Sequence, residues 1–144
     1  MKALIRRFWW LVAFGVLVLI QINPYGRDHE NPPVYQEIEW PNMEVRTLAQ
    51  RACFDCHSNE TVYPWYANIA PISWFIQNDV DTARALINFS DFVAIQRTGS
   101  VGDVVRNGSM PPLSYLLIHP AANLTDAERQ KLAEGLDQSL GIVP

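Results

Sequence analysis

Residues 53–57 read Cys53-Phe54-Asp55-Cys56-His57, a C-x-x-C-H pattern. Two intervening residues bring both sulfurs round one turn, where they can meet one edge of a flat macrocycle. A histidine directly after the second cysteine then lies beneath the ring. This is the pattern by which a polypeptide captures haem through two thioethers, with the imidazole as an axial ligand of the iron. Cys53 and Cys56 are thus the expected attachment points and His57 the expected proximal ligand. A thioredoxin-like pair also uses C-x-x-C, but it belongs in a βαβ setting, and none is visible. A closed zinc site wants four ligands. With two cysteines in the chain, it would have to recruit His29 or His119 and a carboxylate. A plain disulfide is the remaining alternative.

The candidates for the second axial ligand are Met43, Met110, His29 and His119, and an open or other distal site is the remaining alternative. Met110 is preceded by Arg106-Asn107-Gly108-Ser109 and followed by Pro111-Pro112, so a stiffened loop presents it. A thioether needs such a loop to approach the iron opposite His57. Met43 stands one helix away from the motif, and His29 lies in a distant linker. His119, followed by Pro120, is the rival, with a hydrogen bond in the core or at the end of a turn as its ordinary role.

The N-terminus carries Lys2, Arg6 and Arg7, then an apolar run over residues 8–20, and no charge until Arg27. An uncharged stretch over residues 8–26 is just long enough to cross a bilayer as a helix. The basic residues before it predict a cytoplasmic N-terminus and an exported remainder. The expectation is a single-pass anchor over residues 1–22 in the cytoplasmic membrane, with the haem site periplasmic. A cleaved signal peptide is the competing reading, but no small-x-small site follows Ile20.

Eight of the eleven Lys/Arg and all fifteen Asp/Glu lie from Asn23 onward, so that part is net −7 against −4 for the whole chain. Acidity argues against nucleic acid and is compatible with docking to a basic redox partner. Residues 23–41 hold Pro24, Pro32, Pro33 and Pro41, the composition of an extended linker. It reads either as a tether that lets the haem swing or as a strap packed through Val34, Ile38 and Trp40.

Residues 42–144 read as helical, without strand or repeat. Asn42 can cap a helix over residues 43–52, whose Val45, Leu48, Ala49 and Ala52 recur at helical spacing. A second helix starts near Ser73, aligns Ile76, Val80, Ala83 and Ile87 on one face, and ends at Asn88-Phe89-Ser90. Shorter pieces are expected at 91–96 and 101–106, with Gly99 and Gly108 as terminators. Thr125 and Glu128 form a capping box ahead of Leu132, Leu136 and Leu140, with Gly141 and Pro144 closing the last helix. Trp65, Tyr66, Trp74, Phe75, Phe89 and Phe92 are candidates for an aromatic wall against haem. Glu37 and Glu39 sit in the linker, and Ser73 and Ser114 lack a histidine partner or an elbow motif, so enzymatic readings are thin. The sequons at Asn59, Asn88, Asn107 and Asn123 read as caps and turns.

Several longer stretches resemble the haem-binding domain family of small bacterial membrane-anchored c-type cytochromes. They are Asn31-Pro32-Pro33, the run Ala52-Cys-Phe-Asp-Cys-His-Ser-Asn-Glu-Thr61, Pro64-Trp65-Tyr66, Pro71-Ile72-Ser73-Trp74, Asn88-Phe89-Ser90, Met110-Pro111-Pro112 and Tyr115-Leu-Leu-Ile-His-Pro120. The resemblance implies Cys53 and Cys56 as attachment points, His57 as proximal ligand and Met110 as distal ligand of one covalent haem c.

The expected fold is therefore all-α: a small cytochrome c-like domain around one haem, first and last helices packed together, behind a transmembrane helix. The expected function is single-electron transfer between redox partners on the outer face of the membrane, alone or in a larger complex, with no enzymatic activity and no small-molecule substrate. A haem-based sensor with a labile distal ligand is the alternative.

Overall fold

A computed structural model of the chain describes residues 2–91 and 100–141, with the side chains of the first helix described from Phe8. The helical piece expected at 91–96 lies outside the described residues except for Asp91, as do Phe92, Gly99 and Pro144. Among the described residues the chain forms α1 (Lys2–Ile20), α2 (Met43–Ala52), α3 (Phe54–His57), α4 (Ile72–Leu86), α5 (Val101–Arg106), α6 (Leu113–Leu116) and α7 (Asp126–Ser139). Single 3₁₀ turns occur at Trp65–Asn68 and Pro120–Ala122. No strand is present there beyond an isolated bridge between Gln36 and Asp91. The chain divides into two units, Met1–Glu30 with Tyr63–Thr82, and Asn31–Val62 with Ala83–Pro144.

The first unit corrects the membrane expectation. No helix among the described residues is long and apolar enough to cross a membrane. The expected anchor over residues 1–22 is therefore withdrawn, and with it the single-pass, N-terminus-inside localisation. The physical reason is that the uncharged run over residues 8–26 does not stay helical. The helix α1 stops at Ile20, ahead of Asn23-Pro24, where proline disfavours helix in the residue before it. The apolar helical part, residues 8–20, rises only about 20 Å, short of a hydrocarbon core of about 30 Å. Beyond it Gln21 bonds both ways with the Ala70 backbone, at 2.9 and 3.0 Å, and accepts from Arg27 Nη2 at 2.8 Å. Gly26, at φ +76°, sits so close to the Ser73 carbonyl that a side chain there would collide with it.

The second unit holds the C-x-x-C-H motif. Asn42 caps α2, its side chain accepting Val45 N–H at 3.0 Å, and Val45, Leu48, Ala49 and Ala52 are buried as their spacing predicts. Both halves of the Thr125–Glu128 capping box open α7, which buries Leu132, Ala133 and Leu136. The helices α2 and α7 pack together, and Gly135 lets them approach so closely that a Cβ there would enter the Val45 side chain. Arg51–Glu128 (2.7 Å) and Lys131–Glu44 (2.5 Å) flank the crossing. Gly102 likewise lays α5 on the Ala133 carbonyl. There Asp137 accepts from Ser100 Oγ, Gly102 N–H and Arg106 Nη2 at 2.7, 2.8 and 2.7 Å.

Residues 31–41 pack as a strap. Tyr35 and Gln36 N–H groups donate to the Ser90 carbonyl at 3.0 and 3.1 Å, and Ile38 N–H to the Phe89 carbonyl at 3.1 Å. Ile38 is buried and Trp40 packs on the core, whereas Val34 stays exposed.

Candidate functional site

Cys53 ends α2 and opens α3. Its N–H donates to the Ala49 carbonyl at 2.7 Å, and its own carbonyl accepts from Cys56 and His57 N–H at 3.2 and 2.9 Å. The pentapeptide is thereby wound into a single turn carrying both sulfurs and the imidazole. Neither cysteine is in a disulfide. Burial, and secondarily the neighbouring Cys56, pushes the Cys53 thiol up to about 12. A redox C-x-x-C pair shows the opposite shift, toward thiolate. No cluster of three or more His, Cys, Asp or Glu placed to hold a metal ion occurs among the described residues.

The His57 ring is oriented from behind. Its Nδ1 lies 3.1 Å from the Ile87 carbonyl oxygen. A carbonyl can only accept, so Nδ1 carries the proton and the lone pair is directed to Nε2, the arrangement of an imidazole ready to ligate. Phe89 N–H donates to the His57 carbonyl at 2.7 Å, and the Phe89 ring stands 5.9 Å from the imidazole.

The two residues between the cysteines divide the labour. Phe54 is buried, 6.0 Å from Trp40 and 5.8 Å from Phe89 between ring centroids, with the Arg46 guanidinium over its face at 5.5 Å. Asp55 makes polar contacts instead. It accepts Tyr115 Oη at 2.6 Å on one oxygen and Val62 N–H at 3.1 Å on the other. Burial, then Asp55, raises the Tyr115 pKa and keeps its hydroxyl a donor.

The chain leaving the motif is fastened by hydrogen bonds. Arg84 donates to the Ser58 carbonyl (2.9 Å), Asn31 Oδ1 (2.8 Å) and Thr61 Oγ1 (2.9 Å). Asn59 N–H donates to Ser90 Oγ at 3.0 Å and its side chain to the Pro33 carbonyl at 2.8 Å. Asn88 donates to Asn59 Oδ1 at 2.8 Å. Asn31-Pro32-Pro33, Ser58-Asn59-Glu60-Thr61 and Asn88-Phe89-Ser90 are separate in sequence and meet in this network. As predicted for the sequons, Asn88 and Asn107 build turns, accepting N–H from Ser90 and Ser109 at 3.0 and 2.9 Å.

Met110 lies in the same unit, 37 % exposed, its N–H bonded to the Val104 carbonyl at 2.9 Å. The rival His119 stacks on the Tyr115 ring at 4.0 Å, with Nδ1 3.2 Å from the Tyr115 carbonyl, the local role foreseen for it. Met43 is largely exposed at the start of α2. His29 belongs to the other unit, where it stacks on Tyr63 at 4.4 Å and bonds the Ala67 carbonyl at 3.2 Å. Of the candidate wall, Phe89 stands beside His57, while Trp65, Tyr66, Trp74 and Phe75 lie in the first unit, with Trp65 and Phe75 mostly exposed. The residues that sequence reasoning missed are Phe54 and Trp40 as the rings packed on Phe89, Arg84, and the Tyr115–Asp55 pair. An arginine in a helix and a tyrosine after Pro111-Pro112 carry no local signal of such long-range partners.

Two thiols and an imidazole wound into one turn are a donor set that fits haem. Fold and donor set together define an all-helical haem-protein domain. The model of the haem-binding domain family matches residues 15–138, and the chain belongs to that family. No curated protein and no solved structure matches the chain.

Proposed function

We propose that this haem protein is a monohaem c-type cytochrome that carries single electrons between redox partner proteins. On this reading one haem c is bonded through Cys53 and Cys56, with His57 and Met110 as axial ligands, and no small molecule is turned over. The observation that carries the reading is the 3.1 Å contact from His57 Nδ1 to the Ile87 carbonyl, on the same turn as the two thiols. When bound, the haem supplies a one-electron ferric/ferrous couple. The chain's part is to keep both axial positions filled and the proximal side dry. Phe89, backed by Phe54 and Trp40, holds water away from the His57 ring, and a dry shell disfavours the extra charge of ferric iron. The net charge of −7 from Asn23 onward suits a partner with a basic docking face, met singly or within a larger electron-transport complex.

The test is optical. Pigment should stay with the polypeptide through acid–acetone extraction, and the ferric protein should show the weak far-red band of methionine-ligated iron. Met110→Ala should abolish that band and let the ferrous protein bind carbon monoxide. High-spin iron that binds carbon monoxide readily in the unaltered protein would favour a haem-based sensor or ligand-binding module instead.

A further inference from the structure

The segment bearing Met110 is held on both sides. Upstream, Met110 N–H is fixed to the Val104 carbonyl of α5, and Gly108, at φ +77°, turns the chain toward it. Downstream, the Pro112 carbonyl accepts N–H from Tyr115 and Leu116 at 3.0 and 3.2 Å, so Tyr115 rides on the turn that follows Met110-Pro111-Pro112. The Tyr115 hydroxyl then reaches Asp55, inside the C-x-x-C turn and sixty positions away, at 2.6 Å. A short O–H bond to a carboxylate is among the stronger kinds. The stacked His119 ring supports the Tyr115 ring from its face.

We infer that Tyr115 is a positioning residue for the distal side of the haem: bonded to Asp55, it latches the Met110 segment onto the attachment turn and sets how readily the distal position opens. This rests on Met110 being the distal ligand. The latch makes the attachment turn and the distal loop one mechanical piece, so a loop that loses it leaves the iron more often and admits an exogenous ligand.

Tyr115→Phe in the haem-loaded protein tests this, since it keeps the ring on His119 and removes only the hydroxyl. Carbon monoxide association with the ferrous form should rise about tenfold to a hundredfold, the scale of a hydrogen bond to a charged group. Backbone amides of residues 113–119 should exchange with solvent faster, while acid–acetone-resistant pigment stays unchanged. In an Asp55→Asn background the same change should add less than about threefold, because the charged partner is already gone. Association and exchange both within about twofold of the unaltered protein would overturn the latch and leave the ligand assignment standing, that being well inside the smallest effect expected. A starting protein without the far-red ferric band overturns the ligand assignment and the latch together.

Discussion

Gly135 of α7 lies directly against Val45 of α2, with no room for a Cβ between them. Because α2 runs straight into Cys53, this crossing fixes where the C-x-x-C-H turn begins. Glycine inside a helix ordinarily costs about 1 kcal/mol relative to alanine. Here the close approach reverses that preference. Gly135→Ala should lower unfolding stability by about 1–3 kcal/mol through overpacking. Urea denaturation followed by helical circular dichroism measures it, and a stabilised variant would show that the two helices do not meet this closely.

Acid should weaken the second unit through two carboxylates. Burial alone would raise the Asp137 pKa, but bonds from Ser100, Gly102 and Arg106 outweigh it and hold the group below the usual range. The Thr125 backbone bond, then Arg51 and the Thr125 hydroxyl, draw Glu128 down to about 2. Groups with lowered folded pKa stabilise above their unfolded values and lose that contribution as protons bind. Stability should therefore be flat above about pH 5 and fall as pH drops from about 4.5 toward 2. Asp137→Asn should cost about 1.5–3 kcal/mol at neutral pH and shallow the acid slope. Thermal melts across that range decide it.

Arg84 gathers three acceptors from Ser58, Asn31 and Thr61 with one planar group. A lysine cannot reproduce that fork. Arg84→Lys should cost about 1–3 kcal/mol and speed amide exchange at residues 58–62, leaving haem attachment intact. Unchanged exchange there would mean that the network does not hold the exit of the motif.

Phe89 is buried beside His57. Phe89→Ala should remove about 3–5 kcal/mol of stability. It should also lower the reduction potential by letting water approach the imidazole side. The milder Phe89→Leu separates the effects: most stability returns, and the potential should remain below that of the unaltered protein. Potentiometric titration of the three proteins is the measurement.

The helices α2, α5 and α7 were legible because their signals are local. Asn42 and the Thr125–Glu128 pair announce their starts, and apolar spacing their buried faces. The single turn of the C-x-x-C-H motif was legible for the same reason, since it is contained in five consecutive residues. What escaped was set at a distance. Hydropathy counted residues 8–26 as one run because it registers charge, while the end of α1 depends on Pro24 and on the bonds of Gln21 to Ala70. Whether residues 23–41 were tether or strap could not be read from Val34, Ile38 and Trp40 alone, since the surface that receives Ile38 and Trp40 is built by Phe89 and its neighbours. Asp55 and Tyr115 looked unrelated for want of any rule linking a motif's filler position to a tyrosine far downstream.

The strap has a consequence for how this protein can be cut. Trp40, which precedes the motif, and Phe89, which follows it, close over Phe54 from opposite directions along the chain. A fragment starting at Asn42 would expose both phenylalanines to water and strip away the partner of Phe89 at Ile38. Any piece meant to keep this cluster covered must include Ile38 and Trp40, and a ribosome must pass Ser90 before that shelter can be finished.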